Sequence, residues 1–413
     1  MRTRDGRTVE GTTDMKVLAL GGAGAMGRVA ARVTARLPGV RELVIADRDP
    51  DAARRTAAGL AAHAAGAGAA GAGATVRARR VDVTDQAELE AALGEVDAVL
   101  NTVGPYYRFG LDVLRAAIRT GTHYLDICDD WEPTVAMLEL DEEARAGGVR
   151  AVIGMGASPG VSNLLAVRAA ALLDTLDDVY TAWPVDVGPE PGDAALVDRD
   201  GAPAAAAVHW MQQISGTVAV VRDGRLVQRP PLGPVALDLP GGRRGTAYTV
   251  GHPEPVTLHR SLRPGGDAAS LMVVRAGTAA YLDVLRRDLD AGRLGNETAA
   301  LALDRPSLRR VLRAGARAVR FGSPGSLPGF FAAATGRVEG RRASVLAQLT
   351  GADALMADMA EGTGVPAALG LAQLLDGTVR TPGVHPPETA LDAERFFADL
   401  ARHRPGVGVT VGA

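Results

Sequence analysis

A glycine-spaced turn in V-L-A-L-G-G-A-G-A-M-G joins an apolar run of strand type to a helix pattern, and Asp47 closes the next apolar run, L-V-I-A-D, twenty positions beyond Gly27. Strand, turn, helix, second strand and terminal acid in this order form the dinucleotide-binding fingerprint. Gly22 permits the tight strand-to-helix turn, Gly24 lets the backbone approach a pyrophosphate, and Gly27 lets helix and strand pack closely. The amides of Gly24, Ala25, Met26 and Gly27, at the positive end of the helix, would cradle the phosphates. A bare G-x-G-x-x-G carries little weight in a chain with 51 glycines. Its position between strand and helix makes it specific.

The rest of the first third alternates strand and helix signals. Helices are expected near 50–65, over D-Q-A-E-L-E-A-A-L, L-D-V-L-R-A-A-I-R-T and P-T-V-A-M-L-E-L-D-E-E-A-R-A; strands over T-V-R-A-R-R-V, D-A-V-L-N, T-H-Y-L-D and R-A-V-I-G. Six strands separated by helices predict an α/β fold, a doubly wound parallel sheet whose strand C-terminal ends form the ligand rim. Past Val161 the texture changes to alternating segments, with Asp223-Gly224 as a hairpin turn, and then to a largely helical stretch from about Ala268 to Phe331. A-S-V-L-A-Q-L-T reads as a late strand, and helices follow over T-G-V-P-A-A-L-G-L-A-Q-L-L-D-G and Ala393–Arg402. The expected organisation is a dinucleotide-binding unit, 15–162 plus about 360–413, and an inserted α+β substrate and dimerisation unit, 163–359. Residues 1–14 read as a polar extension, and A-G-A-G-A-A-G-A-G-A as a low-complexity surface loop.

Composition narrows the function further. At 413 residues two or three domains are expected. A net charge of -3 gives no basic footprint for nucleic acid. No apolar run reaches the ~18 residues of a membrane span, and the N-terminal stretch lacks a signal peptide's apolar core. A lone cysteine, Cys128, fits a reducing, cytoplasmic setting and reads as a small buried apolar residue. Lys16 is the only lysine and lies in the first strand, so chemistry that needs a catalytic lysine has no residue to use.

The strand ends supply the candidate site. Asp47 is placed to accept hydrogen bonds from an adenosine ribose and to repel a 2′-phosphate, which favours NAD over NADP; Arg48 beside it offers adenine stacking or a 2′-phosphate partner. Asp82 and Val83 follow the third strand at the adenine edge, while Asp85 reads as a helix cap. Asn101, Val103 and Gly104 in N-T-V-G-P-Y-Y sit beside the nicotinamide ribose, with Tyr106 and Tyr107 next to the reacting centre. Asp126 ends the fifth strand and is the first choice for proton transfer, since a carboxylate facing a dry cleft has a raised pKa. Ser158, as a cap with Pro159 at the first helical position, and Asn163 one turn later form an anion-binding helix start. In G-H-P-E-P-V-T-L, His252 and Glu254 flank a rigid turn, with His252 the second proton-transfer candidate and Glu254 a substrate contact; His209 is weaker. Arg243 and Arg244 are available for a substrate carboxylate. No cluster has metal-ligand spacing.

The chain resembles the saccharopine dehydrogenase-like family, in the branch containing saccharopine reductase, lysine 6-dehydrogenase and carboxynorspermidine dehydrogenase. The resemblance rests on G-G-A-G-A-M-G, V-D-A-V-L-N-T-V-G-P-Y, A-I-R-T-G-T-H-Y-L-D, S-P-G-V-S-N-L-L-A, G-H-P-E-P-V-T-L, G-T-G-V-P-A-A-L-G and G-V-H-P-P-E. It implies a Rossmann domain, an inserted substrate domain, a C-terminal segment returning to the first domain, and a homodimer. It also implies NAD(P)-dependent interconversion of an amine C–N bond and an imine in an amino-acid-derived substrate. Tyr106, Asp126 and the Ser158–Asn163 turn would line the cleft. Asn163, where saccharopine reductases tend to carry histidine, places the chain nearer lysine 6-dehydrogenase-like members. Two other readings remain: reduction of an activated C=C bond in a lipid or polyketide, and nucleotide binding without turnover.

Overall fold

A computed structural model describes residues 14–66, 73–186, 203, 205–351 and 355–413. Residues 1–13 of the polar extension and most of the alanine-glycine loop lie outside the described residues. The strands are β1 Met15–Leu20, β2 Val40–Asp47, β3 Thr75–Arg80, β4 Ala98–Asn101, β5 His123–Asp126, β6 Arg150–Val152, β7 Thr175–Pro184 and β8 Val218–Arg222. Then come β9 Arg225–Arg229, β10 Pro234–Leu239, β11 Arg243–Thr249, β12 Ala268–Val273, β13 Phe331–Val338, β14 Arg341–Thr350, β15 Gly383–His385 and β16 Gly408–Gly412.

The first sheet has seven strands in the order β15-β6-β5-β4-β1-β2-β3, all paired parallel. The order turns back between β1 and β4, the topological switch where an open α/β sheet leaves a crevice for ligands. Helices cover both faces, so the strands are continuous apolar runs; Val17, Leu18, Ala19 and Leu20 are all buried. The second sheet is mixed, in the order β10-β11-β12-β7-β13-β14-β16, with the β8–β9 hairpin attached to β12. The α/β architecture with an inserted second unit is therefore the one the strand-helix alternation predicts.

Where turn chemistry decides, the structure follows the local signals. Asp85 caps Gln86–Leu93 through the amides of Ala87 and Glu88. Asp223 and Gly224 both have positive φ, 49° and 70°, the hairpin turn whose twist matches its strands. Gly377, at φ 84°, follows the helix Met359–Leu375.

Four expectations need correction. The helix after β6 runs Val161–Ala170 and is capped by Gly160 at φ 118°, not by Ser158. A side chain at Gly160 would strike Gly156, and the Asn163 Oδ1 accepts from the Gly160 amide at 2.9 Å. The segment P-T-V-A-M-L-E-L-D-E-E-A-R-A divides into two helices, Trp131–Leu138 and Asp141–Ala146. The stretch 268–273 is a buried strand, β12, ahead of the helices Ala276–Asp290, Asn296–Asp304 and Leu308–Ala318; its short apolar run has no helical period to distinguish it. Finally, the C-terminal segment does not return only to the first sheet. β15 pairs with β6, but β16 pairs with β14 in the second.

The helix Met359–Leu375 lies so close to the fingerprint helix Ala25–Thr34 that a Cβ on Gly364 would stand 2.8 Å from the Met26 carbonyl and 2.9 Å from the Ala30 amide. The cofactor end of the first sheet is thus buttressed by sequence more than three hundred residues away.

Candidate functional site

At the β1 turn, Gly27 cannot carry a side chain without collision. A Cβ there would lie 2.2 Å from the Gly21 oxygen, 2.7 Å from Thr102 Oγ1 and 2.9 Å from Gly22 Cα, and one on Gly22 would lie 2.7 Å from the Ala19 oxygen. The first helical bond runs from the Arg28 amide to the Gly24 carbonyl, so the amides of Ala25, Met26 and Gly27 precede it. A turn stripped of side chains beside uncommitted helix-start amides fits a dinucleotide pyrophosphate. Gly27→Ala is expected to weaken nicotinamide-dinucleotide binding by about 10- to 100-fold, the equivalent of ~1–3 kcal/mol of overpacking. Titration of cofactor fluorescence checks it; unchanged affinity would refute the assignment of this turn.

Asp47 and Asn101 close β2 and β4, and Arg48, Asp82, Val83, Val103 and Gly104 follow C-terminal strand ends of the same sheet. Asp47 accepts the Asp49 amide, and Asp82 accepts both the amide and the hydroxyl of Thr84. Hydrogen bonds from Thr84, and the charges of Arg80 and Arg48, hold the Asp82 carboxyl below its usual range. Two guanidinium groups, Arg48 and Arg80, therefore stand at this edge.

The structure corrects the proposed roles of Asp126 and Tyr106 in the first unit and of Arg243 and Arg244 in the second. Asp126 is wholly buried. Its Oδ1 accepts the amides of Cys128 (3.0 Å) and Gly154 (2.7 Å), and its Oδ2 accepts the Tyr124 hydroxyl (2.7 Å). Burial raises its pKa to about 6 against those hydrogen bonds. With each oxygen committed to internal donors, Asp126 ties β5 to the turn after β6 and does not present a base. Tyr106 is also buried, its hydroxyl donating to the Asn101 carbonyl at 2.8 Å. Burial, then Asp126, pushes that phenol well above its ordinary range, which removes it as a proton donor. Asn101 in turn donates to Tyr124 and accepts the Val103 amide. Tyr107, by contrast, is 55% exposed at the rim. Arg244 pairs with Asp238 on the β10–β11 hairpin, at 75% side-chain exposure, and Arg243 stands beside it at the start of β11, so neither joins the site described next.

That site forms where the turns after β5 and β6 meet the second sheet. Asp129 and Asp130 face His209 of the helix Ala205–Gln213, whose Nε2 lies 3.2 Å from one oxygen of each. Burial alone would lower the His209 pKa, but Asp129 and then Asp130 outweigh it and raise it to about 11. At neutral pH this is an imidazolium shared by two carboxylates. The ligand atoms of the three residues lie within 4.8 Å of one another, a grouping that chain spacing could not reveal. Gln213 donates to the Asp129 carbonyl and carboxylate, each at 3.1 Å.

Deeper, His252 is 5% exposed and stacks on Trp183, the ring centres 5.5 Å apart and the planes at 21°. Its Nδ1 is 3.3 Å from Ser158 Oγ and 3.7 Å from Glu254 Oε2. Ser158 and Ser162 (2.9 Å) both donate to Glu254 Oε1. Burial pulls the His252 pKa down, but Glu254 and more distant Asp129 win and raise it; Glu254 is lowered in turn, the hydrogen bond and charge of His252 overcoming its burial. Asn163 donates to Thr257 (3.0 Å) and Glu388 (2.9 Å), and Ser261 donates to the other Glu388 oxygen at 3.1 Å. Burial lifts Glu388 to about 7. Ser158 and Asn163 are thus brought to the site as predicted, but as positioning groups for His252, Glu254 and Glu388 rather than as an anion-binding helix start.

Trp183, Trp210, Asp129, Asp130, Gln213, Ser162 and Glu388 were missed as functional candidates. A-W-P, H-W-M-Q-Q, I-C-D-D-W, P-G-V-S-N and G-V-H-P-P-E carried them, but only tertiary packing unites segments this far apart. Four buried atoms here have no hydrogen-bond partner among the described residues: Asp130 Oδ2, Glu254 Oε2, and the indole nitrogens of Trp183 and Trp210. Two acceptors and two donors stand ready for a polar molecule. Cys128 is buried, its thiol pushed well up by burial, as expected of a packing residue.

Residues 17–152 match the family model described as the saccharopine dehydrogenase NADP binding domain. A trans-acting enoyl reductase of Mycobacterium leprae (strain TN) is 37% identical over 76 residues, 18% of this chain and 18% of that protein. Saccharopine dehydrogenase (NADP(+), L-glutamate-forming) of Saccharomyces cerevisiae is 31% identical over 106 residues, 26% of this chain and 21% of that protein. The chain thus matches about a fifth of the length of these curated relatives. The solved apo saccharopine dehydrogenase (L-Glu forming) from Saccharomyces cerevisiae shares the fold, with a TM-score of 0.62 over 97% of this chain and 100% of that one at 15% identity. None of these lends support to NAD over NADP.

Proposed function

We propose that this chain, whose residues 17–152 match the saccharopine dehydrogenase NADP binding domain, is a member of the saccharopine dehydrogenase-like family and an NADP(H)-dependent oxidoreductase interconverting an amine C–N bond and an imine in an amino-acid-derived substrate. The nicotinamide cofactor supplies or accepts the hydride at the nitrogen-bearing carbon. In the oxidative direction the substrate loses that hydride from carbon and a proton from nitrogen as the C=N bond forms. The amine must be unprotonated first, since an ammonium has no lone pair to expel hydride. His252 takes that proton, and Ser158, Glu254 and the Trp183 ring fix its imidazole.

One observation carries the reading. Asp130 Oδ2, Glu254 Oε2 and the indole N–H groups of Trp183 and Trp210 are buried without a hydrogen-bond partner among the described residues. A substrate bearing both a cationic nitrogen and a carboxylate satisfies both kinds, and each buried group left unpaired costs about 1–3 kcal/mol. A lipid alkene offers neither. The enoyl-reductase name of the Mycobacterium leprae relative keeps the second reading in play. Arg48 favours a 2′-phosphate, while Arg80 beside it is held by Glu88 and the carboxylates of Asp47 and Asp82 accept from their own turns. The homodimeric state expected from the resemblance is part of this proposal.

Absorbance of the reduced nicotinamide, followed across amino acids, secondary amines, imines and enoyl thioesters with each cofactor, tests it. Turnover with a C–N substrate, and at least about tenfold preference for NADP(H) that Arg48→Ala erodes, are expected. Turnover of enoyl thioesters alone would transfer the reading to the alkene acceptor.

A further inference from the structure

The second unit contains a cavity of about 430 Å³ that shares no lining residue with the site above. Six arginines converge on it: Arg222 and Arg229 from β8 and β9, Arg286 and Arg287 from the helix Ala276–Asp290, Arg317 from the helix Leu308–Ala318, and Arg320 just beyond. Asp283 is the one carboxylate among the lining residues. It is already engaged by Arg286, Arg287 and Arg317. Arg222 pairs with Asp267, and Arg286 also with Asp290. Six positive charges against Asp283, Asp267 and Asp290 leave an excess of three. Arg229 and Arg320 have no carboxylate partner among the described residues, and they come from separate elements. Packing gives no reason to bring like charges together; a recess lined by one sign of charge concentrates the opposite ion.

The rest of the lining is largely apolar and stiff. It includes Pro230, Pro231, Leu232, Tyr248 and Phe321, the two rings 5.5 Å apart. Leu232 has φ 63°, a left-handed conformation that a branched side chain rarely adopts. Its amide is held to the Thr249 carbonyl at 2.8 Å, and the Gly233 amide to Thr249 Oγ1 at 3.0 Å. A disfavoured backbone fixed at a cavity wall is a mark of a ligand site. The volume lies in the range of small-molecule pockets, and guanidinium forks match phosphate oxygens in pairs.

We propose that this cavity binds a phosphorylated small molecule with an apolar body, its phosphate among the arginines and its body against the Pro230–Leu232 wall. The site is independent of the reading proposed for the junction. Calorimetric titration with phenyl phosphate tests it, on protein saturated with NADPH so that the glycine turn is already filled. Saturable binding is expected, weakened at least about tenfold in Arg229→Ala/Arg320→Ala, a pair whose removal orphans no carboxylate. Leu232→Gly should weaken phenyl phosphate while leaving inorganic phosphate unchanged. No saturable heat, or equal affinity in the double variant, would overturn the site. Equal binding of the two phosphates by the natural protein would overturn the role of the wall. Co-sedimentation with phosphatidic acid vesicles, lost in the double variant, would replace the free ligand by a membrane headgroup and so defeat the proposal.

Discussion

Exchanging His252 for glutamine is expected to lower turnover by about 10²- to 10⁴-fold, the usual contribution of a positioned proton-transfer group, while cofactor affinity stays unchanged. The imidazole is 5% exposed, stacked on Trp183 and within reach of Ser158 and Glu254. Burial pulls its pKa down, but Glu254 outweighs burial and raises it, so the ring holds its proton to higher pH than a free imidazole. Imine formation needs the neutral ring and should therefore speed up as pH rises through that raised pKa; imine reduction uses the protonated ring and should slow over the same interval. Both limbs should vanish in the glutamine variant. A fall in kcat without the loss of a limb would reduce His252 to a packing residue. Near-normal turnover with an unaltered pH profile would remove it from the chemistry.

Asp126→Ala should cost about 3–5 kcal/mol of folding stability, since it strands three buried donors, each worth roughly 1–3 kcal/mol. Asp126→Asn should cost only about 1–2 kcal/mol, because its Oδ1 still accepts the Gly154 and Cys128 amides while the Tyr124 hydroxyl loses its acceptor. The asparagine variant should also keep turnover within a few-fold. Burial pushes the carboxyl up to about 6 in the folded chain from its ordinary 3.8, so the folded state binds its proton more tightly. Its contribution is complete below about 3.8 and disappears as pH rises through about 6, and the asparagine variant should lack that dependence. Denaturant titrations at several pH values measure both effects. An asparagine variant that folds normally but has lost all turnover would restore Asp126 to the chemistry.

The contrast between these residues marks what a sequence conveys. The glycine turn, the strand order and the Asp85 cap depend on neighbours in the chain, and all were legible. Asp126 was found at the correct rim, yet its orientation depends on Gly154 and Tyr124 and could not be read from T-H-Y-L-D. Ser158 looked like a cap because Pro159 follows it, but Gly160 at φ 118° starts the helix and frees Ser158 to reach Glu254. The His209–Asp129–Asp130 cluster joins positions about eighty residues apart, and no local pattern announces such an encounter.

The path of the C-terminus has a mechanical consequence. The backbone passes from the first sheet to the second before β7, back before β15, and out again to β16. Two bodies sewn together by three seams do not swing apart like a door on one pin; the seams themselves define the axis, and what remains is a small sliding of one against the other. Substrate exchange would then be governed by the rim where Tyr107 stands exposed and Asp129 half-buried, and hardly at all by the depth at which His252 rests.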